Sequence, residues 1–171
     1  SILKKRWITL KKIESEAKGI TGFLRSFKQI VDDIDKEKEI KKIVFMGNKF
    51  TCTPFVELLT YVIRSMGKEI IYVPAINLDD PYKVSLSGVD CDFFKGGDPY
   101  NPELVVIMGG LAMPGGPEIP SVEKFLEKIG NKDKKVIGVC FMSIFEKSGW
   151  SKVIPFDYMV DIFMDSSIFG R

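Results

Sequence analysis

Apolar residues recur along this chain in two rhythms. Phe23, Phe27, Ile30 and Ile34 follow helical spacing, with Arg25, Lys28, Asp32 and Asp33 largely on the other side. The pattern predicts a helix from Thr21 to about Ile34, with Thr21 as its cap. A charged run, Asp35-Lys-Glu-Lys-Glu39, closes this helical stretch. The rhythm then changes to short, largely apolar runs: Ile43–Met46, which is continuous, then Glu69–Val73, Leu104–Met108 and Val136–Cys140. Such runs predict strands buried on both faces. Tyr158–Phe163 predicts a last strand.

Helical spacing returns between these strands. Thr53-Pro54 reads as an N-cap and first helical position, and Phe55, Leu58, Leu59, Val62 and Met66 form an inward stripe that Gly67 ends. Val122, Phe125, Leu126 and Ile129 predict a helix over about Ser121–Ile129, with Gly130 as its stop, and Ser143–Lys147 predicts a short helical turn. Residues 75–102 are irregular and rich in Gly, Pro and Asp, with Val84 and Val89–Phe94 as candidate short strands. Strands alternating with helices predict an α/β fold. Right-handed crossovers make it a three-layer Rossmann-like or flavodoxin-like sandwich, with a mostly parallel sheet of about five strands and helices on both faces. The 171 residues suit a single α/β domain over 1–171, in which 1–40 form a basic N-terminal arm and a helix packed on the body.

Composition narrows the chemistry. There is no histidine, which removes Ser-His-Asp and Cys-His triads, zincin sites and histidine-held haem. The three cysteines, Cys52, Cys91 and Cys140, make neither a disulfide framework nor a zinc pattern. No apolar run approaches the ~20 residues of a membrane span. The start, Ser1-Ile-Leu-Lys-Lys-Arg-Trp7, carries no signal-like apolar region, so a cytoplasmic home and no membrane partner are expected. Residues 1–42 hold 12 Lys+Arg against 7 Asp+Glu, and residues 43–171 hold 13 against 16. The basic residues Lys4, Lys5, Arg6, Lys11 and Lys12 surround one aromatic, Trp7, with no RNA-binding motif. A solvated terminus therefore explains them better than nucleic-acid binding.

Ligands of open α/β sheets bind beyond the carboxyl ends of the strands, near the point where strand order reverses. Three loops should meet there. Gly47-Asn48-Lys49-Phe50-Thr51-Cys52-Thr53 leads into a helix N-terminus, whose free N–H groups attract anions. It lacks both the G-x-x-x-x-G-K-[ST] and the G-x-G-x-x-G patterns. Gly109-Gly110-Leu-Ala-Met113 begins a Gly/Pro loop in which backbone can approach a ligand closely. Cys140-Phe141-Met-Ser143 ends a strand before a helical turn. The expected ligand-binding set is Gly47, Asn48, Thr51, Cys52, Thr53, Gly109, Gly110, Met113, Cys140 and Phe141, with no metal. The expected ligand is a small anionic molecule or nucleotide-like cofactor of unknown identity.

Two further patterns invite a metal, each with a plainer reading. Met46, Cys52, Met108, Met113, Cys140 and Met142 all fall near strand ends, where methionine commonly fills core gaps. Asp157, Asp161 and Asp165 are four apart, as on one face of a solvated edge strand.

Residues 104–143 resemble the core of class I glutamine amidotransferases, in which one strand ends in Gly-Gly and a later one delivers a cysteine. The resemblance implies Cys140 as catalytic nucleophile with Gly109 and Gly110 near an oxyanion hole. Phe141 stands where the elbow wants a small residue, and the family's histidine has no counterpart here; Glu118 or Glu146 would have to serve as base. With no cation beside it in sequence, Cys140 is expected to be an unreactive thiol, with Ser more costly there than Ala.

Several other stretches resemble an uncharacterised family, a domain of unknown function in hypothetical archaeal proteins, largely from methanogens. They are Gly19–Phe27, Cys52–Leu59, Gly109–Pro114, Gly138–Met142 and Phe145–Trp150. The resemblance implies a Rossmann-like fold and an archaeal cytoplasm, and brings no activity. Three functions are consistent with the sequence: a small-anion or nucleotide-like binding module, a cysteine-dependent hydrolase or amidotransferase-like enzyme without histidine, and a non-catalytic assembly subunit. The last would be a possible homodimer, joined through aromatics such as Phe93, Phe94, Phe163 and Phe169.

Overall fold

The computed structural model describes Leu10 and residues 18–171; the basic residues from Lys4 to Lys12 lie outside them. The chain runs α1 (Gly19–Glu37), β1 (Lys42–Gly47), α2 (Thr53–Val62), β2 (Glu69–Pro74), β3 (Tyr82–Ser87), β4 (Asp90–Lys95), β5 (Leu104–Met108), α3 (Ile119–Lys128), β6 (Lys135–Phe141), α4 (Ile144–Lys147) and β7 (Tyr158–Ile162). The sheet has seven strands in the order β4-β3-β2-β1-β5-β6-β7. β2, β1, β5, β6 and β7 are mutually parallel. They are the five runs that the apolar pattern picks out.

The expected count of about five falls short by the β3–β4 hairpin, which pairs antiparallel at one end. Its strands read Tyr-Lys-Val-Ser-Leu-Ser and Asp-Cys-Asp-Phe-Phe-Lys. Polar residues interrupt both, so neither gives the unbroken signal of a core strand. The turn Gly88-Val89 places Gly88 at φ 60°.

Two apolar layers sandwich the sheet. Phe23, Phe27, Val31 and Ile34 of α1 and Val56 and Leu59 of α2 pack on one face against Ile43, Phe45, Leu104, Val106 and Ile137. Val122, Phe125 and Leu126 of α3 and Phe145 of α4 pack on the other against Val44, Val105, Ile107 and Val136. Each fully buried side chain of this kind contributes roughly 1.5–3 kcal/mol. The helices begin differently from expectation. α1 starts at Gly19 with Lys18 at its cap, so Thr21 lies inside the first turn. α2 starts at Thr53 itself and ends at Val62; a 3-10 turn, Arg64–Met66, carries the chain to Gly67 at φ 63°.

Polar contacts fix where α1 hands over to β1. Asp35 accepts the Ile40 N–H at 2.6 Å and binds the Lys68 ammonium at 2.7 and 2.9 Å. Burial alone would raise the Asp35 carboxyl, but these bonds hold it below its ordinary value of 3.8. Nearby, Glu103 accepts the N–H groups of Lys41 and Lys42 at 3.0 and 2.8 Å, tying β1 to the start of β5.

A carboxylate with a depressed pKa stabilises the fold above its unfolded pKa and loses that effect as pH falls through its folded value. Asp35→Ala is expected to cost about 1–3 kcal/mol at neutral pH. The gap from the parent should shrink as pH drops below 3.8. Urea unfolding of both proteins across pH 2–7 measures it.

Candidate functional site

The chain leaves β1 into α2 on one face of the sheet and leaves β5 toward α3 on the other. Strand order therefore reverses between β1 and β5, where a ligand crevice is expected. The two loops at that point touch directly. Asn48 Nδ2 donates to the Gly110 carbonyl at 2.6 Å. The Asn48 carbonyl accepts the Cys52 N–H at 3.1 Å and the Tyr72 hydroxyl at 2.9 Å. Burial pushes the Tyr72 hydroxyl far above its ordinary pKa, so it remains a donor.

Close approach is what requires glycine here. A Cβ on Gly110 would meet Cys52 Sγ at 2.5 Å, with Thr51 Oγ1 and Asn48 Nδ2 next nearest. A Cβ on Gly109 would meet the Cys140 Cβ at 2.6 Å and Ile144 Cγ2 at 2.9 Å. Neither glycine has a positive φ. The pair forms the start of a 3-10 turn, Gly109–Ala112.

The structure thus brings Gly47, Asn48, Thr51, Cys52 and Gly110 together, with Gly47 also packed on Cys52. It separates them from Cys140, which lies in the opposite apolar layer with Gly109 beside it. Phe141 turns back to the first layer, its ring 4.8 Å from Phe55 and 6.2 Å from Phe23. The sulfurs do not form one cluster either. Cys52 and Met108 lie in one layer, Met46 and Cys140 in the other, and Met113 and Met142 face solvent. Among the described residues, no three His, Cys, Asp or Glu side chains are grouped to hold a metal ion.

The start of α2 offers less to an anion than the sequence suggests. The Cys52 N–H is engaged by Asn48, Pro54 has none, and the Phe55 and Val56 N–H groups both bond the Cys52 carbonyl at 3.0 Å. Of the backbone N–H groups from Cys52 to Val56, that of Thr53 alone has no partner among the described residues. Thr53 Oγ1 instead accepts the Phe50 N–H at 3.2 Å. Positive charge comes from side chains. Lys49 and Lys95 lie 3.1 and 3.6 Å from Asp80. Two ammonium groups share one carboxylate, which raises the Lys49 pKa and lowers that of Asp80.

Phe50, Met113 and Met142, from the loops after β1, β5 and β6, line the same end of the sheet with apolar surface. They are 87%, 51% and 48% exposed. Phe50 and Met142 also hold φ of 68° and 53°. The sequence places all three in loops at the strand ends, with Met113 in the expected ligand-binding set, but does not show how far Phe50 and Met142 turn outward.

Cys140 is fully buried, and its thiol donates to Asp161 Oδ1 at 3.5 Å. Burial and the neighbouring carboxylate push its pKa up to about 12. That is the reverse of an activated nucleophile, which needs a stabilised thiolate. Asp161 is the residue that sequence reasoning misplaces. Rather than facing solvent on an edge strand, it accepts the Ser143 N–H at 3.0 Å and the Ser143 hydroxyl at 2.9 Å. It thereby pins Met142 and Ser143, consecutive residues at positive φ. Asp157 also points inward, accepting the Val136 N–H at 2.8 Å.

Comparison with known proteins shows the family. The chain belongs to the uncharacterized proteins conserved in archaea known as DUF2124, whose model matches residues 18–165. It is 37% identical over 165 residues to an uncharacterized protein of Methanocaldococcus jannaschii, covering 96% of this chain and 97% of that one. It is 30% identical over 156 residues to an uncharacterized protein of Methanothermobacter thermautotrophicus, covering 90% and 95%. A crystal structure of a protein of unknown function from Methanothermobacter thermautotrophicus superposes at TM-score 0.82 with 27% identity, over 95% of this chain and 99% of that one. The family and its methanogen relatives are those expected from the motifs. The local likeness to glutamine amidotransferases gains no support from these relatives.

The Asp161 contact reverses the expected order of Cys140 variants. Cys140→Ser keeps a donor for the carboxylate and should cost under about 1.5 kcal/mol, whereas Cys140→Ala removes the donor and leaves a gap, costing more. At pH 9, iodoacetamide should modify Cys140 on the order of a hundredfold more slowly than a free thiol peptide, as tracked by mass spectrometry.

Proposed function

We propose that this archaeal family member binds a small nucleotide-like molecule, an anionic group joined to a flat ring, where the β1 and β5 loops meet. The observation that carries the reading is Phe50. A phenylalanine at φ 68° with 87% of its surface in water is strained and exposed, and its ring takes no part in either apolar layer. Such outliers concentrate at ligand clamps. Stacked on Phe50, a flat ring would shield the side chain from water, with Met113 as the neighbouring apolar contact. Lys49 and Lys95 supply the excess positive charge beside it. The Cβ-free Gly110 lets the β5 backbone approach. No described helix is long and apolar enough to cross a membrane.

Titration with AMP, ATP, adenosine and inorganic phosphate, read by calorimetry, tests the reading. Phe50→Ala should leave stability within about 0.5 kcal/mol of the parent. It should weaken nucleotide binding about tenfold, the worth of one stacked base. Lys49→Glu should weaken AMP more than adenosine. Absence of binding by all four compounds at millimolar concentration rejects the site.

A second reading rests on a different observation. Phe163, Met164, Ile168 and Phe169 come after β7 in a segment without helix or strand, and all four are exposed. Apolar side chains gathered in one tail favour self-association. Light scattering across concentration should show a dimer that Phe169→Ser weakens; a monomer throughout removes this reading.

A further inference from the structure

The loops of the candidate site belong to a longer apolar row. β1, β5, β6 and β7 are neighbours in that order and run parallel, so their carboxyl ends share one edge of the sheet. Each strand is followed there by exposed apolar side chains: Phe50 after β1, Met113 after β5, Met142 after β6, and Phe163 with Met164 after β7. None of the five belongs to either apolar layer. Exposed apolar surface gathered at one edge marks a place where something docks. Methionine suits such a place, because its unbranched side chain adapts to what lies on it.

The chain supplies an occupant from the end of the row. Residues 163–171 leave β7 at this edge without helix or strand. Ile168 and Phe169 are 99% and 93% exposed, so two large apolar side chains bury almost nothing. They lie within reach of the site. Three strand spacings, about 14 Å in all, separate β7 from β1. The seven residues from Phe163 to Phe169 span up to about 23 Å when extended. A path along the edge from β7 to β1 passes the ends of β6 and β5, where Met142 and Met113 stand, before it meets Phe50. The polar stretch Asp165-Ser166-Ser167 separates Phe163-Met164 at β7 from the pair Ile168-Phe169.

We propose that residues 163–169 close over the nucleotide site, placing Phe169 on the face of the bound ring opposite Phe50. This rests on the reading that the β1 and β5 loops bind a nucleotide-like molecule, and it supplies what that site lacks. A ring stacked on Phe50 alone keeps its second face in water. Closure covers that face and buries Ile168 and Phe169 in the same step. Ordering seven residues costs conformational entropy, and the second face of the ring offsets it, which ties closure to the ligand. Segments that close in this way sequester what they cover.

Calorimetric titration of the full chain with AMP, together with limited chymotrypsin digestion, tests this. Phe169→Ser should unfold at the parent's temperature, since its ring touches neither layer, yet bind AMP about tenfold more weakly, the worth of one stacked base. Phe169→Trp should bind AMP at least as tightly as the parent. Chymotrypsin should cut the ligand-free chain after Phe163 and Phe169, and at least fivefold more slowly at saturating AMP. Equal AMP affinity in Phe169→Ser, or no protection at saturating AMP, overturns closure and leaves the nucleotide site standing. AMP affinity that rises with protein concentration assigns the covering segment to a second copy and also overturns it. No binding of AMP by the parent overturns both.

Discussion

Strand β5 has no face to give to water. Leu104, Val105, Val106, Ile107 and Met108 are all buried, so apolar surface has to be supplied from above and below the sheet at once. Neighbouring β1 is nearly the same from Ile43 onward. One helical layer cannot satisfy both faces. The helix leaving β1 therefore takes one side and the helix leaving β5 takes the other. The place where strand order reverses, and hence the place where two loops part and leave room, results from this demand for burial on both faces. In this sense the candidate ligand site is set by the core before any polar residue is chosen.

Polar residues then determine how tightly the two loops meet. Without the Asn48–Gly110 bond the loops would be held by van der Waals contact alone. The adjacent glycines let each layer send a cysteine to the backbone of the same turn, Cys52 from one side and Cys140 from the other. The turn is thus gripped from both layers. This explains why both cysteines are buried, and burial is what holds Cys140 as an unreactive thiol. Asp161 does for the β6 end what Asn48 does for β1, with a carboxylate holding the Met142–Ser143 turn in an otherwise unfavourable conformation.

The five parallel strands and their helices were legible because burial on both faces writes an unbroken apolar run, which a reader can find without knowing what packs on it. The meeting of Gly47, Asn48, Thr51, Cys52 and Gly110 was legible for a similar reason, since strand ends in a parallel sheet gather at one edge. What the sequence hid depends on direction rather than identity. Phe50 and Met142 look like core residues until their positive φ turns them outward. Asp157 and Asp161 look solvated until their partners, the Val136 and Ser143 N–H groups some twenty residues away, are in place. Thr53 looked like a cap because its hydroxyl type is right, yet the capping position falls on Cys52.

The β3–β4 hairpin carries a consequence for aggregation. A sheet needs a last strand, and its outer edge presents unpaired N–H and C=O groups on which another chain can grow. Here that last strand is β4, with Asp90, Asp92 and Lys95 distributed along six residues. A strand arriving at this edge would have to strip water from charges that it does not match. The same interruptions that disguise the hairpin as loop in the sequence make it a poor template for further strands, so the sheet stops on this side at β4.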